Sequence, residues 1–311
     1  MTIAPLREIA PSFPVPHDVI NEGPWWQAWN FDPHYLLPLV LLGFFYVRGL
    51  RRWPERSREH RTWRTVSYLG GLVLLAFLFE SPLDRLGEHH FSMHMIQHNL
   101  VMMVVPPLLL LGAPTTPILR GLPRGLRQEV VVPTINHPAV QAVWRVLTFP
   151  PLTVAIFVML QWLWHLAPGW YDRALNDNMV HDLQHISFFG IAMLFWWNMI
   201  DPAPRSSRVP MGARILYFYA AMLPKHILAA MIVFADEPFY PTYERVKQFL
   251  PSTPLEDQQL AGLIMWVPLG EALNLFVAAM VFVVWFRQSE HQQREKDAER
   301  DAMLLAASLE R

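Results

Sequence analysis

Four histidines fall into two pairs of identical spacing. They are His94 and His98 in Met93-His94-Met95-Ile96-Gln97-His98, and His181 and His185 in His181-Asp182-Leu183-Gln184-His185. On an α-helix, residues four apart share a face and their rings lie about 6 Å apart along the axis. Neutral imidazole is a common metal ligand near pH 7, and His-x-x-x-His on one helix is a chelating geometry. Two such pairs on facing helices could enclose one metal ion. His165 falls at the same depth and joins the set. Met93, Met95, Met179 and Met265 add thioethers near the same surface, and the chain has no cysteine. Imidazole and thioether without thiolate favour copper over zinc or magnesium. Asp257 and Gln258 are candidates for the rim or for supporting the ligands.

Other uses of these residues stay open. An isolated histidine in a membrane helix more often hydrogen-bonds to a neighbouring helix, and methionine commonly fills gaps between apolar helices. Paired histidines on facing helices can also hold a b-type haem, with Gly70, Gly71 and Gly190 giving some room. A copper transporter or export permease is a third reading, for which internal repeats and broken helices would be expected. No repeat is visible.

The elements that must position these residues follow from the hydropathy. Of 311 residues, 53% are hydrophobic and 16% charged, with a mean hydropathy of +0.20, whereas soluble domains carry about 25% charged residues. The apolar residues come in blocks with the charges between them, which is the pattern of a polytopic all-α membrane protein. Seven spans are expected: Tyr35–Leu50, Trp63–Phe79, Phe91–Leu111, Pro151–His165, Val180–Ile200, Ile215–Ala235 and Leu260–Phe286. Pro106-Pro107 in the third should break it, and neighbours must then satisfy the freed carbonyls.

Orientation follows from the arginines. Arg48, Arg51, Arg52, Arg56, Arg58, Arg61 and Arg64 follow span one. Arg120, Arg124, Arg127 and Arg145 follow span three, and Arg205, Arg208 and Arg214 follow span five. The alternate loops, from Glu80 through Glu88 and from Asp236 to Asp257, are acidic. The N-terminus is therefore expected outside and the C-terminus in the cytoplasm. Of thirteen histidines, only His60, His137 and His291 then fall inside. Met1–Pro16 does not read as a cleaved signal peptide, and Trp25, Trp26 and Trp29 form an interfacial belt before span one.

Three segments result: an extracytoplasmic stretch 1–33, a transmembrane seven-helix domain 34–286 and a charged cytoplasmic tail 287–311. Lys225 in span six and Glu271 in span seven sit near mid-membrane and are expected to pair there. The expected partner is the lipid bilayer. A net charge of −1 with no Gly-rich phosphate loop gives no sign of a nucleic-acid or nucleotide partner.

The motifs also carry a family resemblance over roughly residues 29 to 286. His94-Met95-Ile96-Gln97-His98-Asn99-Leu100, running into Pro106-Pro107-Leu108-Leu109-Leu110-Leu111-Gly112-Ala113-Pro114, resembles the bacterial CtaG-type cytochrome c oxidase assembly factors. Trp29-Asn30-Phe31-Asp32-Pro33, Trp164-His165-Leu166 with Tyr171-Asp172-Arg173-Ala174-Leu175, His181 to Trp197, and Asp257 to Trp266 are similar as well. Gln184 stands where that family often has a carboxylate. The resemblance implies a non-enzymatic protein of the bacterial inner (plasma) membrane. It would help mature haem–copper terminal oxidases by handling copper on the outer side, with a terminal oxidase subunit or a copper chaperone as partner.

Overall fold

The structure, a computed structural model, describes residues 25–53, 60–167, 169–200 and 209–266, together with Ala279. Every regular element among the described residues is helical. Besides two 3-10 turns, Trp25–Gln27 and Met211–Ala213, they are in chain order α1 (Pro33–Arg51), α2 (Thr62–Glu80), α3 (Pro82–His89), α4 (Phe91–Met103), α5 (Val105–Leu111), α6 (Thr115–Gly121), a π-helical turn (Leu126–Val131), α7 (Val132–Asn136), α8 (Pro138–Leu147), α9 (Pro150–Leu166), α10 (Trp170–Asn176), α11 (Asn178–Ile200), α12 (Arg214–Val233), α13 (Pro241–Arg245) and α14 (Pro254–Trp266).

Helix starts follow local chemistry. Asp32 caps α1 by accepting the His34 amide, with Pro33 in the first position, and Ser81 caps α3 in the same way. Gly169, before α10, adopts φ +71°, a left-handed conformation that favours glycine.

Among the described residues, five segments are long and apolar enough to cross a membrane: Pro33–Arg51, Thr62–Glu80, Phe91–Leu111, Asn178–Ile200 and Arg214–Val233. The expected fourth span corresponds to α9, 17 residues long, which meets α8 at 66°. The expected seventh opens in α14 and continues beyond the described residues, as do Glu271, the tail 287–311 and most of the first segment. Many of the apolar side chains left exposed, among them Val40, Phe44, Val66, Val73, Leu216, Leu223 and Leu263, lie along these helices. In water they would be a liability; in hydrocarbon they cost nothing.

The double proline breaks span three where expected. With no N–H on Pro106, the Met102 carbonyl loses its partner four residues on. The Trp196 indole N–H donates to that carbonyl at 2.9 Å, so a side chain of α11 replaces the missing backbone bond.

Helix ends sort into two groups. One end of the bundle holds the start of α1, the end of α2, the starts of α4, α11 and α14, and the end of α9. Contacts there include the Asn30 amide to the Glu80 carbonyl (2.9 Å) and the Tyr35 hydroxyl to Asp182. The opposite end gathers Arg48, Arg52, Arg120, Arg124 and Arg127. There α1 and α6 touch through glycine. A Cβ on Gly49 would lie 1.7 Å from the Pro117 carbonyl oxygen, and one on Gly121 would lie 1.8 Å from that of Phe45. No side chain fits at either position without separating the helices.

Candidate metal centre

The histidine pairs converge. His94 and His98 lie on the first two turns of α4, His181 and His185 on the first two turns of α11, and these helices pack together. Their rings interleave across the interface: His94 to His181 5.4 Å, His94 to His185 5.7 Å and His98 to His185 4.7 Å between centroids. Ligand nitrogens of His94, His98 and His185 all lie within 4.8 Å of one another, and all three residues are buried. His181 is half-buried.

Within each pair the Nε2 atoms are close, at 2.7 Å for His94–His98 and 2.8 Å for His181–His185. At that distance one ring must donate an N–H and the other accept it, since two bare lone pairs would repel. His98 Nδ1 and His185 Nδ1 have no hydrogen-bond partner among the described residues. A buried polar atom left without a partner costs about 1–3 kcal/mol, and that cost is removed when the nitrogen is given a cation.

His165 is the most plainly prepared donor. Its Nδ1 lies 2.8 Å from the Gln161 carbonyl, one turn earlier in α9, and carbonyls only accept. The proton therefore sits on Nδ1, and the lone pair on buried, unpartnered Nε2. Metal-binding histidines are commonly oriented in this way. Its ring lies near Phe188, against which His98 also packs.

The donor set is thus neutral, nitrogen-rich and free of thiolate, and it fits a borderline or soft transition-metal ion such as copper. It fits haem less well. The four paired rings touch one another, leaving no flat slot between α4 and α11 for a macrocycle.

Gln97, between His94 and His98 in sequence, faces the other way. Its Nε2 donates to the Leu78 carbonyl at 2.8 Å and to Asp84 Oδ1 at 2.7 Å. Burial pushes the Asp84 carboxyl up to about 7, and this hydrogen bond partly offsets the shift. Gln184 is buried on α11 with both amide atoms unpartnered.

The remaining expected residues make the following contacts. Asp257, on the first turn of α14, accepts from the Ser92 amide at 3.3 Å and from the Ser92 hydroxyl, and so holds the first turn of α4. Gln258 Oε1 accepts the Phe239 amide at 2.6 Å. Met95 and Met265 pack in one apolar cluster with Phe91, Tyr171 and Tyr240. Met179 is 80% exposed, so it packs with nothing around the imidazoles. Lys225 is buried on α12 and donates to Asn99 Oδ1 at 2.8 Å, while Asn99 donates to the Met95 carbonyl. Its expected partner Glu271 lies outside the described residues.

Sequence reasoning missed the roof over the imidazoles. Tyr171 stacks on Tyr240 at 4.2 Å, and Phe91 meets both rings edge-on. The Tyr171 ring lies 5.6 Å from His94 and 5.7 Å from His165. The Tyr240 hydroxyl donates to the His165 carbonyl, and the Tyr243 hydroxyl to that of Gly87. His89 and His90 anchor the same loop. His89 Nδ1 lies 3.0 Å from the Lys247 carbonyl, and His90 Nε2 accepts the Phe249 and Leu250 amides. The aromatic run Phe239-Tyr240-Pro-Thr-Tyr243 was the available signal.

A family model described as cytochrome c oxidase caa3 assembly factor matches residues 44–288. The chain is 28% identical over 294 residues to uncharacterized proteins of Mycobacterium bovis and Mycobacterium tuberculosis, covering 91% of this chain and 43% of each relative. It is 26% identical over 298 residues to one of Mycobacterium leprae, covering 93% of this chain and 44% of the relative. The chain therefore spans less than half the length of these curated relatives. No solved structure matches.

Proposed function

The chain belongs to the family of cytochrome c oxidase caa3 assembly factors, and from that premise we propose that it binds copper through His94, His98, His185 and His165, with His181 at the rim, and hands it to a haem–copper oxidase during assembly. One observation carries the reading: buried imidazoles from two helices bring ligand nitrogens within 4.8 Å of one another, under an aromatic roof. The role is non-enzymatic. Copper is cargo, and the protein's part is to hold the ion in a dry, nitrogen-lined site.

A strain lacking the protein, grown in limiting copper, is expected to assemble a terminal oxidase with normal haem but several-fold less copper and activity. Metal and haem analysis of the purified oxidase checks this. A fully copper-loaded oxidase from that strain refutes the assembly role and favours export.

The site belongs on the outer face of the inner membrane in this reading, because the arginine-rich loops fall at the opposite end of the bundle. Reporter fusions after Arg52 and Arg124 should report cytoplasm, and fusions near Glu88, Asp177 and Gln248 the outside. An outside signal at Arg124 overturns the seven-span orientation.

A further inference from the structure

At the end of the bundle opposite the histidines, Arg48, Arg52, Arg120, Arg124 and Arg127 line one cavity of about 710 Å³. They come from three stretches of chain: the last turns of α1, the end of α6 and the connection that follows it. The glycine contact between α1 and α6 draws these stretches together, so the fold itself gathers five like charges. No Asp or Glu is among the described residues lining the cavity. Topology requires arginines in the loops, but it does not require them to face one space, where they repel.

Side-chain surroundings set the depth. The Arg48 guanidinium lies 5.9 Å from the ring of Phe44, which is exposed, and that of Arg120 lies 4.9 Å from the ring of Trp53. Next to Arg127, Leu126 is exposed, as is Val130 in the same helical turn. Apolar groups left open beside a cationic pocket mark the level where acyl chains meet headgroups.

We propose that this five-arginine cavity binds the phosphate of an anionic phospholipid headgroup, in the leaflet that the arginine-rich loops assign to the cytoplasm. Guanidinium groups match phosphate oxygens in bidentate geometry, and basic pockets on the cytoplasmic side of membrane helices take anionic headgroups. The site is independent of the copper reading.

The test uses the purified full chain in neutral detergent. Phosphatidylglycerol, phosphatidylcholine and soluble glycerol phosphate are titrated separately, with retained lipid counted by native mass spectrometry and unfolding temperature measured in parallel. Phosphatidylglycerol alone should be retained and should raise the unfolding temperature. Arg52→Gln/Arg124→Gln should weaken its binding on the order of 25-fold, about fivefold per arginine. If the double variant does not fold, Arg124→Gln alone, at an exposed position, should show the fivefold loss. Equal stabilisation by glycerol phosphate would make this a soluble-anion site and overturn the lipid assignment. Retention unchanged in a folded variant would overturn the pocket.

Discussion

Replacing both members of one pair, His94→Ala/His98→Ala, is expected to strip copper from the purified protein. Of the three nitrogens that lie within 4.8 Å of one another, the change removes two and leaves His185. His165 has no chelating partner on its own helix. Losing a group that merely orients a ligand costs about 10–100-fold in metal affinity, so loss of two ligands should exceed 100-fold. Copper should raise the unfolding temperature of the wild type and leave that of the variant unmoved, because only an ion that binds the folded state shifts the equilibrium. His137→Ala, at an exposed position on the arginine side, should keep its copper. A folded double variant that retains wild-type copper would remove the site.

The second large effect is expected at Asp257, which is not one of the proposed ligands. Its buried carboxylate accepts two hydrogen bonds from Ser92, and His90 Nδ1 lies 3.7 Å away. The Ser92 amide belongs to the first turn of α4, where backbone donors have no partner within the helix. Asp257 is in effect an N-cap supplied by another helix. Asp257→Ala should cost about 3 kcal/mol, since it leaves buried donors without an acceptor. Asp257→Asn, which keeps one carbonyl, should cost less. Copper affinity should fall about tenfold, because His94 lies only two residues beyond Ser92. Thermal unfolding in detergent and copper titration read the two effects separately. Wild-type affinity in a destabilised Asp257→Ala would show that the cap supports the fold but not the site.

What the sequence makes legible is what depends on short range. The five long apolar segments follow from block hydropathy, and each histidine pair follows from helical period. The break at Pro106-Pro107 needs only the missing N–H. Which groups meet across the bundle is another matter. Depth alone sets His165 beside the paired histidines, while its tautomer depends on a turn of α9 and its aim on the packing of α9 against α11. Matching Lys225 to Glu271 rests on depth alone, and Glu271 lies outside the described residues. Depth could not name Asn99, because nothing in the sequence says that α4 passes beside α12. The short helices α6 to α8 escaped notice because a test of span length does not register segments of seven, five and ten residues. Asp257 and Gln258 lie at the start of α14, and their use as ties to Ser92 and Phe239 is a long-range fact.

The roof of Tyr171, Tyr240 and Phe91 has a consequence for time rather than for affinity. An ion seated on imidazoles beneath stacked rings cannot leave by a side-chain rotation of picoseconds to nanoseconds. It leaves when the segment bearing Tyr240 and Tyr243 lifts, and that segment is held by its bonds to the His165 and Gly87 carbonyls and by the imidazoles of His89 and His90. Opening a loop tied at four points belongs to microseconds or slower. For copper held as proposed, residence time would then be set by the latch and not by the ligands. An acceptor protein that competes for the loop's tyrosines would shorten it without touching a histidine.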